Sequence, residues 1–320
     1  MMNKYIAYLF FCFSIITLTI IEQSFADLPG KVFSKYVHVN QTEKIELKDD
    51  IDLSELDLKN CKINRQLSEL RNIVFDKSIL SGSDLDETCF INCSFRKTNM
   101  SGVVAPSSLF RDCDFADATI IGSNFVLTKE QFCSTASYRN KSIQGTEFHL
   151  DISGINFSDY NLRNVGFYGS FVHGCNFSDS LISGASFSGK YEKRDHSKDY
   201  GYLLIDNFSC NQLFTTKDYK QGTILDVNFF AVDFSRCNFS KMNLTGCRFN
   251  PFIGIEEKIY CDFSNTDMTD AVISHCVFHE TKNLTFEQIK STWNYKVGRM
   301  EGIVLPKQIQ DLLDAEKHER

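Results

Sequence analysis

Few side chains in this sequence could carry out chemistry. Asp114 with Asp117, and Asp262 with Asp267, offer paired carboxylates. Such pairs serve glycoside hydrolysis, where one carboxylic acid protonates the leaving oxygen and a second carboxylate attacks or activates water. His275, Cys276 and His279 supply the ligand types of a zinc site. A third group is recognition chemistry: Tyr191, Lys193, Arg194, His196, Lys198 and Tyr200 crowd aromatic and basic side chains into one polar segment, and such residues dominate binding surfaces.

A five-residue period sets the elements that must position these groups. From Ile73 to Phe125 large apolar centres fall at Phe75, Leu80, Leu85, Phe90, Phe95, Met100, Phe110, Phe115, Ile120 and Phe125, with the small Ala105 among them and a compact residue two before each. A helix would carry such a row right round its axis, and a strand would send successive centres to opposite faces. A coil with a corner every five residues satisfies both rows. At its corners, Asp side chains accept turn N–H groups, which accounts for the four carboxylates more economically than catalysis does. A side chain next to an inward slot points outward, so His275 and His279 are not expected to converge with Cys276. The sequence therefore predicts no catalytic residue, no cofactor and no metal.

Cys113-Asp114-Phe115-Ala116-Asp117, Cys175-Asn176-Phe177-Ser178-Asp179 and Cys237-Asn238-Phe239-Ser240-Lys241 show the unit most clearly. They resemble the pentapeptide-repeat family: a small residue, Asp or Asn, Leu or Phe, then two mostly polar residues. The resemblance implies an all-β fold, a right-handed quadrilateral parallel β-helix with four pentapeptides per coil. It also implies a scaffold or, in a few members, a DNA mimic that inhibits a topoisomerase, with no shared active site. Roughly eight coils at a strand spacing of about 4.8 Å are expected.

The frame pauses after Phe125, again through Gly189 to Phe208, and briefly after Phe249. The pauses carry a longer repeat: Thr128, Gln131, Thr135 and Tyr138 recur as Ser209, Gln212, Thr216 and Tyr219, then as Thr285, Gln288, Thr292 and Tyr295. Ser or Thr three before Gln is a capping box, so three short helices are expected. Either their Gln, Thr and Tyr line a repeated site, or Thr and Tyr dock each helix onto its coil; docking is the simpler account. The organisation read from the sequence is a signal peptide over 1–26 and a lead-in over 27–50. A repeat solenoid follows over 51–283, with helical insertions near 127–148 and 209–222 and a charged loop over 189–206. A helical cap with short C-terminal helices spans 284–320.

The leader has a basic tip at Lys4, an apolar run from Tyr5 to Ile21 and small residues before a cut after Ala26, as in an exported protein. An uncleaved anchor is the alternative. The net charge of −7 is spread along the chain, which argues against broad nucleic-acid binding. Cys61, Cys93, Cys113, Cys175, Cys237, Cys247, Cys261 and Cys276 fall in the compact inward slot. Cys93 and Cys113 should stack one coil apart, as should Cys237 and Cys261 if the insertion after Phe249 adds four residues. Parallel side chains on stacked rungs hold β-carbons farther apart than a disulfide wants, so these four thiols are expected to stay reduced, with Cys89 the outward thiol. The functional expectation is a non-enzymatic, secreted scaffold that binds a protein partner through its helices and charged loop, without nucleic acid and without a membrane span once the leader is removed. The alternatives are the DNA-mimic inhibitor and a carbohydrate-active enzyme on a β-helix.

Overall fold

The computed structural model describes residues 36–39, 43–63, 68–149, 151–194, 202–253 and 258–319. Ala26 and its leader lie outside them. An antiparallel pair, Tyr36–Val39 with Glu43–Glu46, precedes the first coil.

Each pentapeptide makes one side of a square. The centre and the residue two before it point inward, and the chain then turns through a left-handed residue, as at Lys77, Lys97 and Asp117 (φ 59°, 58° and 63°). Asn, Asp and Gly recur at these corners because that region penalises other side chains. At Gly184 the requirement is double. Its φ is +73°, and an added Cβ would lie 2.1 Å from Asn164 Oδ1 in the coil below. Gly184→Ala is expected to cost about 1–3 kcal/mol, read as a lowered melting temperature. An unchanged melt would show that neither the left-handed backbone nor the contact with Asn164 requires glycine there.

Inward centres stack into files. Phe75, Phe95 and Phe115 lie face to face at 5.0 Å each, Phe90 and Phe110 at 5.1 Å beside them, and the two files meet edge-on. The compact slot is polar in places but satisfied: Ser78 Oγ donates to Phe75 O at 2.6 Å, Thr98 Oγ1 to the same carbonyl at 2.7 Å, and Ser108 Oγ to Leu85 O at 2.7 Å. An unpaired hydroxyl there would cost about 1–3 kcal/mol.

Counting sides in chain order within a coil, side three runs unbroken through Lys62, Asp84, Val104, Asn124, Glu147, Gly166, Ser186, Asn228, Arg248, Val277 and Val304, all in parallel register. The solenoid has about ten turns, more than the eight expected. The reason is that the pauses in the pentad are coils too. In three coils a helix pair replaces side one, while side three carries the ladder on.

Those helices come in pairs broken at Thr: Lys129–Ser134 with Ala136–Arg139, Cys210–Thr215 with Lys217–Lys220, and Phe286–Ser291 with Trp293–Lys296. Along the side-three column they occur at every third step. Two regular side-one rungs, Asn156 and Asn176, separate the first pair from the second, and Asn238 and Asp267 separate the second from the third. A longer helix, Lys307–Glu319, follows the last rung and buries Ile309 and Leu313.

Four sequence expectations need correction. The charged segment is not a loop throughout: Lys190–Arg194 and Tyr202–Asp206 form an antiparallel hairpin. The insertion after Phe249 is longer than four residues, because Asp233 pairs with Asp262 and Asn238 with Asp267. Cys261 therefore lies above Val232 rather than above Cys237. Cys237 is not reduced either, since it is bridged to Cys210 across 27 residues with α-carbons 6.7 Å apart. The constraint on stacked rungs does not reach this bond, because Cys210 belongs to a helix and not to a rung in register with Cys237. Cys93, Cys113 and Cys261 are free thiols. Cys89 is free but only 4% exposed, lying in register between Glu69 and Leu109 of the neighbouring coils.

Candidate interaction site on the solenoid

Each helix pair is built onto the coil before it by one set of bonds used three times. The capping-box Gln turns its amide nitrogen to two carbonyls of that coil. Gln131 Nε2 donates to Phe110 O and Cys113 O (2.8 and 3.1 Å), Gln212 to Val172 O and Cys175 O (3.1 and 3.2 Å), and Gln288 to Phe263 O and Thr266 O (2.8 and 2.9 Å). The Thr at the break caps the second helix: Thr135, Thr216 and Thr292 accept from the N–H groups of Tyr138, Tyr219 and Tyr295. Gln thus docks each pair onto its coil, where the sequence points to Thr and Tyr; Thr instead joins the two helices of the pair. A basic residue closes each pair onto a corner: Arg139 on Asp117, Lys220 on Asp179 at 2.9 Å, and Lys296 on Asp270 at 2.7 Å.

One docking position was missed in the sequence. Two residues after the Thr, Ser137, Asp218 and Asn294 accept the N–H groups of Ile120, Ile182 and Ile273 (2.9, 2.7 and 2.7 Å), which the broken ladder would otherwise strand. The signal was a short polar acceptor at fixed offset. It escaped because each copy uses a different residue.

The second protruding feature is a corner. The hairpin Lys190–Asp206 leaves the coil after Ser188, and the hairpin Phe252–Ile259 leaves it just after Asn250. Ser188, Phe230 and Asn250 occupy one register, so both hairpins spring from the same corner two coils apart. Gly189 permits the exit, because a Cβ there would meet Ala231 O and Val232 Cα at 2.5 Å. Aromatic rings line the corner: Tyr168 lies 4.2 Å from Phe230 and 6.0 Å from Phe252. Ile253 and Tyr260 are 55% and 40% exposed beside them. Of the six recognition residues read from the sequence, Tyr191, Lys193 and Arg194 stand in the outgoing strand, opposite Ile205, Leu203 and Tyr202. His196, Lys198 and Tyr200 lie outside the described residues.

Residues 68–104 match the family model of pentapeptide repeats in eight copies. That stretch of the chain is made of pentapeptide repeats. No curated protein matches its sequence. Among solved structures, trypsin-treated QnrB1, a plasmid-mediated fluoroquinolone resistance protein, is 16% identical over 85% of this chain and 97% of that chain, with a TM-score of 0.20. HetL, a pentapeptide-repeat protein involved in heterocyst differentiation regulation in the cyanobacterium Nostoc, is 13% identical over 81% and 86%, also with a TM-score of 0.20. Likeness at this level carries no functional argument.

The candidate catalytic groups take structural roles in the repeat. Asp114, Asp262 and Asp267 each accept the N–H two residues on, from Ala116, Ser264 and Thr269. The N–H and hydroxyl of Thr269 hold Asp267 below the usual carboxylate range, the opposite of what a general acid needs. Burial pushes Cys175 up to about 11 and Cys247 and Cys261 up to about 12, so these thiols are not nucleophiles at neutral pH. Cys276 Sγ donates inward to Leu244 O at 2.9 Å, while His275 stands at the corner beneath Gly302. Among the described residues no group of three or more His, Cys, Asp or Glu could hold a metal ion. Several outward acids are paired with bases, as in Glu55 with Lys77 and Asp114 with Arg96, which breaks up the continuous acidic face a DNA mimic wants.

Proposed function

We propose that this pentapeptide-repeat protein is a non-enzymatic, exported scaffold that binds a protein partner through the elements projecting from its coils. The observation that carries the reading is positional. One ladder runs unbroken along side three, helix pairs recur on side one at every third coil, and two hairpins leave a single aromatic-lined corner. A rigid framework presenting a few irregular elements is how binding surfaces are commonly built. Export is supported by the leader and by the Cys210–Cys237 bond, because disulfides persist in oxidising compartments. Among the described residues no helix is long and apolar enough to cross a membrane.

The test uses the full chain and a version in which 190–206 is replaced by Asn-Gly. Asn207 N already donates to Gly189 O at 2.9 Å, so the shortened corner can close. Captured from the native extracellular fraction, a specific protein is expected to bind the full chain and to lose most of its binding to the shortened one. Equal capture by both would remove the hairpin from the reading. A mature protein that does not begin at Asp27, or that stays inside the cell, would overturn export.

A further inference from the structure

The helix pairs interrupt the ladder. In regular coils side one is joined by backbone bonds, such as Phe95 N to Asp114 O at 2.8 Å and Asp114 N to Cys93 O at 3.0 Å. The second helix pair keeps such bonds only downward, from Asp179 N to Thr215 O and from Lys217 N to Ser180 O, both 2.9 Å. Among the described residues, no backbone bond joins it to the coil above at 233–241. Side four is interrupted at the same level, because the hairpin occupies it. The Asn207 side chain there substitutes for a rung, again downward, through Val172 N and Ser170 O at 2.6 and 2.8 Å. Sides two and three stay closed, by Ile224 N to Asn243 O at 2.8 Å and by the parallel strands around Asn228 and Arg248. The coil above therefore meets the helix pair across a seam on two sides, with an intact ladder on the other two that can serve as a hinge.

What crosses the seam is a side-chain hydrogen bond, Tyr219 Oη to Asn238 O at 2.7 Å, and the Cys210–Cys237 disulfide. The first seam is closed differently, by Lys129 Nζ to Ser153 O, Lys141 Nζ to Ser158 O and Tyr160 Oη to Tyr138 O at 2.6, 2.9 and 2.7 Å. The third helix pair meets the C-terminal helix through Tyr295 and Glu316. Only the second seam has a covalent closure among the described residues. Its outer sulfur is half-buried, while Cys237 is buried.

We propose that Cys210–Cys237 is a redox-operated clasp over this seam, set at the return leg of the Lys190–Asp206 hairpin. A dithiol reductant opens it. One reductant thiolate attacks Cys210 Sγ, the S–S bond breaks, and Cys237 leaves as a thiolate that takes up a proton. The second reductant thiol then resolves the mixed disulfide, closing its own disulfide and releasing Cys210 as a thiol, so that two electrons and two protons pass to the cysteines. With the clasp open, sides four and one part while sides two and three hold. The clasp operates whatever binds the hairpin.

Hydrogen exchange followed by mass spectrometry on the full chain, oxidised and then treated with dithiothreitol, tests this. Reduction is expected to speed exchange about tenfold or more in 210–220 and 233–241, with 228–230, 248–250 and the first helix pair unchanged. Cys210→Ser is expected to show the fast pattern without reductant and no further response to it. The proposal is overturned if exchange at the seam is unmoved, if all coils accelerate together, or if the bond resists dithiothreitol under native conditions. Should the Ser variant fail to fold, the reduction series on the unaltered chain decides.

Discussion

Phe95→Ala is expected to lower the free energy of unfolding by about 3–5 kcal/mol, the range for emptying a buried aromatic site. Phe95 is fully buried. It is stacked between Phe75 and Phe115 at 5.0 Å on either side and edge-on to Phe90 and Phe110 at 5.5 and 5.7 Å. Four ring contacts disappear together with the transfer energy, and the surrounding backbone cannot collapse into the gap because hydrogen-bonded coils above and below fix its position. Phe115→Ala should fall in the same range, since Phe115 is 1% exposed in the same file. Asp117, two residues on, supplies the control. Its pairing with Arg139 lies at the surface, where such pairs contribute about 0–1 kcal/mol, and Asn tolerates the left-handed corner. Asp117→Asn is therefore expected to cost no more than about 1 kcal/mol. Denaturant midpoints compared at a common slope would measure both. If the two positions cost the same, Phe95 and Phe115 do not form the core file.

Most of this architecture was legible because one period controls it. The residue at each centre and the one two before it must both face inward, so the inward rows from Phe75 to Phe125, Ile152 to Phe187 and Phe229 to Phe278 could be assigned from spacing. The capping boxes were legible for a similar reason: Thr128 with Gln131 satisfies two orphan backbone donors locally, without help from the rest of the fold. What escaped depends on contacts between elements. Cys210 and Cys237 meet because a helix leans on a coil, and no spacing rule joins them. Cys89 occupies an outward position that neighbouring coils nevertheless cover. The strand character of Lys190–Arg194 is hidden because its partner strand lies beyond a polar tip, and the alternation of apolar residues in Tyr202–Asp206 is short. The register across Pro251 to Tyr260 depends on how much chain the second hairpin consumes, which composition does not reveal.

The same limit hid Ser137, Asp218 and Asn294, and Asp218 permits the sharpest test of how the helix pairs are held. Asp218 is 5% exposed. Its Oδ2 accepts from Ile182 N at 2.7 Å, Ser183 N at 3.0 Å and Ser183 Oγ at 3.2 Å. Removing it leaves the N–H of the fully buried Ile182 without an acceptor, because the ladder that would have supplied a carbonyl is displaced by the helix. Hydrogen bonds to a charged group contribute about 1.5–3 kcal/mol, and stranding a buried donor costs about 1–3 kcal/mol. The two figures describe overlapping effects, so Asp218→Ala is expected to cost about 2–4 kcal/mol, with exchange at 180–184 accelerated before the rest of the chain. Asp218→Asn should restore most of the loss, because Asn294 does the same task in the third pair, accepting from Ile273 N at 2.7 Å. Thermal melts of the two variants, with site-resolved exchange, would separate an acceptor from a mere space-filler. If the alanine variant melts with the asparagine variant, the side chain is not what completes the broken ladder, and the helix pairs are held by their Gln, backbone and ion-pair contacts instead.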